Sequence, residues 1–120
     1  MEKGAGNRFT KADRIRKTSD YKRLSTHGKR LSGRGFVFVY QNNTFGRLRL
    51  GITVSRKFGK AVQRNRIKRI IREYFRINRT RFHGAWDVNV IVRTAAGKHD
   101  TATLQQELSM CLMSIEKSIC

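Results

Sequence analysis

Residues 47–79 read Arg47-Leu-Arg-Leu-Gly-Ile-Thr-Val-Ser55, then Arg56-Lys-Phe-Gly-Lys60, then Ala61-Val-Gln-Arg-Asn-Arg-Ile-Lys-Arg-Ile-Ile-Arg-Glu-Tyr-Phe-Arg-Ile-Asn-Arg79. The first segment alternates. Leu48, Leu50, Ile52 and Val54 form one face, and Arg47, Arg49, Gly51, Thr53 and Ser55 form the other, as in a half-buried strand. Gly59 opens a turn into a long helix over about residues 60–79, whose apolar positions are Ile67, Ile70, Ile71, Tyr74 and Phe75. That is the i, i+3, i+4, i+7, i+8 spacing of an amphipathic helix. A strand feeding a helix of this kind sets a mixed α/β architecture.

Working outward, Phe36 to Tyr40 reads as a strand with no polar residue on either face. Asn42, Asn43 and Gly46 mark a turn after it, so residues 36–40 and 47–55 are expected to pair as a hairpin. Upstream, Thr18 or Ser19 offers an N-cap for a short helix from Asp20 to about His27, ended by Gly28. Tyr21 and Leu24 share a face of it. Downstream, Trp86 to Arg93 is a strand with Trp86, Val88, Val90 and Val92 on one face. A last helix over about residues 101–118 carries Leu104, Leu108, Cys111, Leu112, Ile115 and Ile119. Thr103 and Gln106 have capping-box spacing, which would place its start a residue or two later. The order of helix, strands, helix, strand, helix predicts an α+β fold with one sheet face covered by helices. The other face, carrying Arg47, Arg49 and Thr53 on one strand and Asp87, Asn89 and Arg93 on another, should be exposed or meet a ligand.

The charge points to that ligand. Lys and Arg total 27 and Asp and Glu 8 among 120 residues, a net charge of +19. Leu, Ile, Val and Phe make up a quarter of the chain, too much for a disordered basic tail. Residues 1–82 hold 24 basic and 4 acidic side chains, and residues 83–120 hold 3 and 4. A general need for solubility would not confine the charge in this way, so the first two thirds should build a surface for a polyanion. Residues 1–11 read as a flexible basic tail and 12–120 as one domain.

On the long helix, Asn65, Lys68, Arg69, Arg72, Arg76 and Arg79 project about 100–200° from Ile67, away from the core. Arg64 and Arg66 flank the first turn. Like charges four apart, such as Lys68 and Arg72, cost a few tenths of a kcal/mol each without an anionic partner. Arg56, Lys57 and Lys60 lie just before the helix start, where free N–H groups favour an anion. If Phe36, Phe38 and Tyr40 point into the core, Val37 and Val39 lie on the second sheet face. They either receive unstacked bases or pack under the first helix.

Other classes are poorly supported. No apolar run approaches the roughly 18 residues of a membrane span, and the first 17 residues lack a signal-peptide core. They are Arg-rich and acid-poor, a weak likeness to an organelle presequence. Cys111 and Cys120 form no CxxC pair, and His27, His83 and His99 are scattered, so neither a metal site nor a disulfide framework is indicated. A reduced, cytoplasmic protein is expected. The eight acids are scattered too, against a carboxylate cluster holding Mg²⁺. A binder is expected rather than a self-sufficient enzyme.

The run Gly51-Ile-Thr-Val-Ser-Arg-Lys57, then Gly59-Lys-Ala-Val62, then Arg64-Asn-Arg-Ile-Lys-Arg69 resembles the bacterial ribonuclease P protein component. Arg14-Ile-Arg-Lys17, the stretch from Asp20-Tyr21 to His27-Gly28 and the later Arg72 agree with it. The resemblance implies a small mixed sheet in αβββαβα order with a left-handed βαβ crossover, ribosomal-protein-S5-like. It also implies an RNA-binding subunit of an endoribonuclease that removes the 5′ leader from precursor tRNA. Its partners would be the catalytic RNA, which would hold the Mg²⁺ ions and the active site, and the precursor tRNA. Neither a membrane nor an obligate protein partner is implied. Arg64, Asn65, Arg66, Lys68 and Arg69 match the RNA-contact motif, with Arg56, Lys57, Arg72 and Arg76 in the same basic surface. Tyr21, Val37, Val39, Lys68 and Arg72 match the leader cleft. Ser25 and Val39 stand where relatives often have aromatics, which would shift leader binding toward backbone charge. Two other readings are a structural ribosomal protein and a stand-alone metal nuclease.

Overall fold

The computed structural model describes residues 13–78 and 85–119, with side chains through Ile115. The expected tail over residues 1–11 and the last stripe residue, Arg79, lie outside the described residues. The elements are α1 (Thr18–His27), β1 (Lys29–Ser32), β2 (Phe36–Asn42), β3 (Arg49–Val54), α2 (Ala61–Ile77), β4 (Trp86–Val92) and α3 (Thr101–Ile119). This is the αβββαβα order. The four strands form one mixed sheet in the order β1-β2-β4-β3.

The expected hairpin between residues 36–40 and 47–55 does not form. β4 lies between them, antiparallel to β2 and parallel to β3. The reason is burial on two sides. β4 is buried at six of its seven positions, and a strand covered on both faces belongs in the centre. β3 exposes Thr53 and takes an edge. No hydrophobic alternation marks residues 29–32 as a strand. β1 is mostly exposed and has one apolar residue, Leu31, so it lacks the alternation that marks a strand. Its Lys29 and Arg30 suit an edge that must not pair further.

One face of the sheet carries Phe36, Phe38, Tyr40, Leu50, Val88, Val90 and Val92 against Ile67, Ile71 and Phe75 of α2 and Leu104, Leu108, Leu112 and Ile115 of α3. These side chains follow the helix and strand periods read from the sequence. α1 starts at Thr18, two residues earlier than expected, with Lys17 at the N-cap and no side-chain cap. α3 starts earlier than its capping-box spacing suggested, because Asp100 Oδ1 accepts the Thr103 N–H at 2.8 Å.

The second face is only partly exposed: Arg47, Thr53 and Arg93 reach solvent, while Arg49, Asp87 and Asn89 are buried. α1 and the segment before it lie across the rest, packing Leu24 and Ile15 on Val39. Below α1, Asp87 is wholly buried, and Arg49 and Asn89 are each 8% exposed. Arg49 donates to both Asp87 carboxylate oxygens, Nε at 2.9 Å and Nη2 at 2.8 Å. Arg23 Nη2 and Asn43 Nδ2 donate to the same carboxylate, each at 2.7 Å. Burial alone would raise the Asp87 carboxyl, but the hydrogen bonds from Arg49, Arg23 and Asn43 outweigh it and hold it below its ordinary value. Of the charges expected on a ligand face, Arg49 and Asp87 are thus consumed inside the protein, and Arg47 and Arg93 stay exposed.

Candidate nucleic-acid interface

The segment Asp13 to Lys17 runs along the outer edge of β3. Arg14 bridges Leu50, and the Ile15 N–H donates to the Leu50 carbonyl at 2.9 Å. Alternation along this extended stretch sends Ile15 into the core and leaves Arg14 and Arg16 exposed. From the other side of the β3 edge comes α2, whose buried Ile67 and Ile71 turn Lys68 and Arg72 toward the same edge.

Between them is an open groove of about 200 Å³ lined by Tyr21, Arg14, Arg16, Ile52, Lys68 and Arg72, among others. Tyr21 is half-buried, and its hydroxyl donates to the Ile15 carbonyl at 3.0 Å. Its ring lies directly on Gly51: a Cβ there would sit 2.8 Å from Tyr21 Cε1. Burial raises the Tyr21 phenol, so it is neutral at physiological pH. Burial, and then the positive charge of Arg14, push the Arg72 guanidinium below its ordinary value. Two like charges are therefore held close enough to disfavour each other beside a neutral aromatic ring. An anion entering the groove relieves that repulsion.

A second hollow, continuous with the first through Arg14 and Arg72, follows the α2 stripe past Asn65, Arg69, Glu73 and Arg76. Arg76 is partly neutralised here: its Nε donates to Glu73 at 3.2 Å, and Nη2 pairs with the same carboxylate. That bond holds the Glu73 carboxyl below its ordinary value. The Arg64 Nη1 donates to the Gly59 carbonyl at 2.6 Å, bracing the turn before α2. Arg66 reaches Thr101 Oγ1 at 3.3 Å. Arg56 and Lys57 are exposed on a short 3₁₀ turn ahead of α2.

The structure therefore brings Tyr21, Lys68 and Arg72 together, and strings Asn65, Arg69 and Arg76 along the adjoining hollow. It does not bring Val37 and Val39 into the groove. Val39 is 1% exposed beneath α1, and the half-buried Val37 packs against the same cluster. Val39 is thus covered by α1, while Val37 keeps part of its surface open. Ser25 is exposed on α1. The sequence reading left Arg14 and Arg16 out of the site. Their signal was present: two basic residues flanking one apolar residue, the pattern of an extended segment with a buried centre.

Among the described residues, no group of three or more His, Cys, Asp or Glu side chains is placed to hold a metal ion. The acids are engaged elsewhere. Asp87 and Asp20 meet arginines, and Glu73 meets Arg76. Glu107 accepts the backbone N–H groups of Gly35 and Phe36. The described residues do not fit a catalytic Mg²⁺ centre. No helix among them is long and apolar enough to cross a membrane.

The family model for ribonuclease P matches residues 9–116. A ribonuclease P protein component from Desulfosudis oleivorans is 42% identical over 101 residues, which is 84% of each chain. One from Staphylococcus epidermidis is 42% identical over 103 residues, 85% of this chain and 89% of that one. The solved ribonuclease P protein of Staphylococcus aureus superimposes with a TM-score of 0.83 at 40% identity, covering 88% of this chain and 96% of that chain. That of Thermotoga maritima gives 0.77 at 36% identity, covering 82% and 94%. With the fold, the Arg64-Asn65-Arg66 helix and the groove in agreement, the chain belongs to the ribonuclease P protein family, which acts in removing the 5′ leader from precursor tRNA.

Proposed function

We propose that this chain is a non-catalytic, RNA-binding subunit that holds a catalytic RNA and the precursor tRNA together. The catalytic RNA supplies the active site and the Mg²⁺ ions. The groove between Tyr21, Lys68, Arg14 and Arg72 takes the single-stranded 5′ leader. Tyr21 offers a neutral ring for stacking, and the three cations track phosphates. Arg64, Asn65, Arg66 and Arg69, with Arg56 and Lys57, face the catalytic RNA from the start of α2. The observation that carries this reading is the groove itself: Arg14, Lys68 and Arg72 line it together beside the half-buried ring of Tyr21.

The test is reconstitution with a ribonuclease P RNA at low Mg²⁺, scored by 5′ leader removal. In that holoenzyme Tyr21→Ala should weaken precursor binding at least about fivefold, the value of one lost stacking contact, and mature tRNA binding much less. Equal losses for the two tRNAs would remove the leader from the groove. Cleavage by the protein with no RNA subunit would place the chemistry on the protein.

A further inference from the structure

Beyond Arg14 and Arg16, which also line the Tyr21 groove, a third open hollow is lined by Arg16, Lys17, Phe45, Arg47 and Arg49. Phe45 is 54% exposed. One exposed apolar side chain is ordinary on a protein surface, and its exposure carries nothing. Its support is less ordinary. The Arg49 guanidinium carbon lies 3.9 Å from the centroid of the Phe45 ring. That guanidinium cannot swing away, because Asp87 holds it through two hydrogen bonds of 2.9 and 2.8 Å. Its edge donors are turned to carboxylates and its flat face is offered to Phe45.

The loop is shaped to match. Asn43 Oδ1 accepts the Phe45 N–H at 2.9 Å, and Asn43 Nδ2 donates to the Arg47 carbonyl at 3.0 Å. Gly46 takes φ +77°, a left-handed conformation that favours glycine. Asp20 also lines the hollow, but its carboxylate is turned to Arg23 at 3.4 Å and Arg49 at 3.5 Å. A ring fixed on a cation, flanked by the exposed Arg16 and Lys17 and by Arg47, which is half-exposed and also meets Asp13 at 3.7 Å, is the chemistry that takes an unpaired base with its phosphates.

We propose that Phe45 is a second stacking subsite for the 5′ leader. A strand leaving the Tyr21 groove passes Arg14 and Arg16 and lays a base on Phe45, with Arg16, Lys17 and Arg47 on the flanking phosphates. This rests on the leader reading given above. It predicts that leader length decides whether Phe45 matters.

The experiment measures holoenzyme affinity for precursor tRNAs with a ladder of leader lengths, using Phe45→Ala, Phe45→Leu and Phe45→Trp. With long leaders, Phe45→Ala and Phe45→Leu should each weaken binding about fivefold or more, and Phe45→Trp should retain it. With short leaders that end in the Tyr21 groove the loss should shrink, while Tyr21→Ala still weakens binding. Loss independent of leader length, mature tRNA included, overturns the proposal by assigning the ring to the catalytic RNA. Full retention by Phe45→Leu overturns it by showing that stacking is not used. If Tyr21→Ala is leader-selective and Phe45→Ala has no effect, the second subsite fails and the groove stands. If Tyr21→Ala is not leader-selective, the groove reading fails first.

Discussion

Asp87→Ala is the sharpest single test of how the interface is held up. The carboxylate is fully buried and accepts from Arg49, Arg23 and Asn43. Its removal leaves Arg49, only 8% exposed, as a buried charge whose nearest remaining carboxylate is Asp20 at 3.5 Å. Breaking a buried pair from one side costs about 3–5 kcal/mol. Arg23 is a third exposed, so water recovers part of its loss. Against a total stability of roughly 5–15 kcal/mol for a domain of this size, the fall is large. It corresponds to a drop in Tm of roughly 12–20 °C, from the usual unfolding entropy per residue. Urea unfolding followed by circular dichroism measures it.

The double variant Asp87→Leu with Arg49→Met removes both charges and should recover most of the loss, because no buried ion is left unpaired. The pH dependence has a definite sign. The folded carboxyl lies below its ordinary value. Its contribution is therefore present above about pH 4 and is lost as pH falls through the folded value. Below about pH 4 the wild-type protein should lose stability more steeply than Asp87→Ala. A loss under about 1 kcal/mol in Asp87→Ala, or a double variant no better than the single one, would refute the buried pair as a structural element.

Two further outcomes separate charge from geometry. Arg72→Ala in the holoenzyme should lower the slope of log affinity against log salt by about 0.7, one phosphate on a single strand. Arg76→Ala, already paired with Glu73, should lower it by clearly less, and equal changes would mean that the Glu73 pair opens on RNA. Gly51→Ala changes no charge but puts a Cβ 2.8 Å from Tyr21 Cε1. It should reduce leader-dependent binding and leave the salt slope alone; unchanged leader selectivity would show that the Tyr21 ring is not held where the groove needs it.

The failed hairpin shows where local reading stops. Residues 36–42 and 49–54 were both legible as strands, because hydrophobic alternation is a local property. Their partner was not, because pairing depends on which strand can be buried on both faces. β4 takes the centre although it contains Asp87 and Asn89. Those polar residues made it look half-exposed, but Arg49 and Thr53 on β3, with Arg23 and Asn43 from outside the sheet, satisfy them. The third strand of the αβββαβα order could not be placed on residues 29–32 from local pattern for the converse reason: as a solvated edge strand β1 needs almost no apolar residues.

The site divides along the same line. Periodicity alone determined α2, its apolar stripe and the basic face opposite, and the concentration of charge in residues 1–82 marked where a polyanion is expected to bind. Tertiary structure decided which cations act together. It set Arg14 beside Arg72 from segments nearly sixty residues apart, withdrew Arg49 into a buried pair and covered Val39 with α1. Sequence spacing constrains a side chain's direction from its own element. What it meets there depends on which other element is packed opposite, and that is fixed only when the whole chain closes on its core.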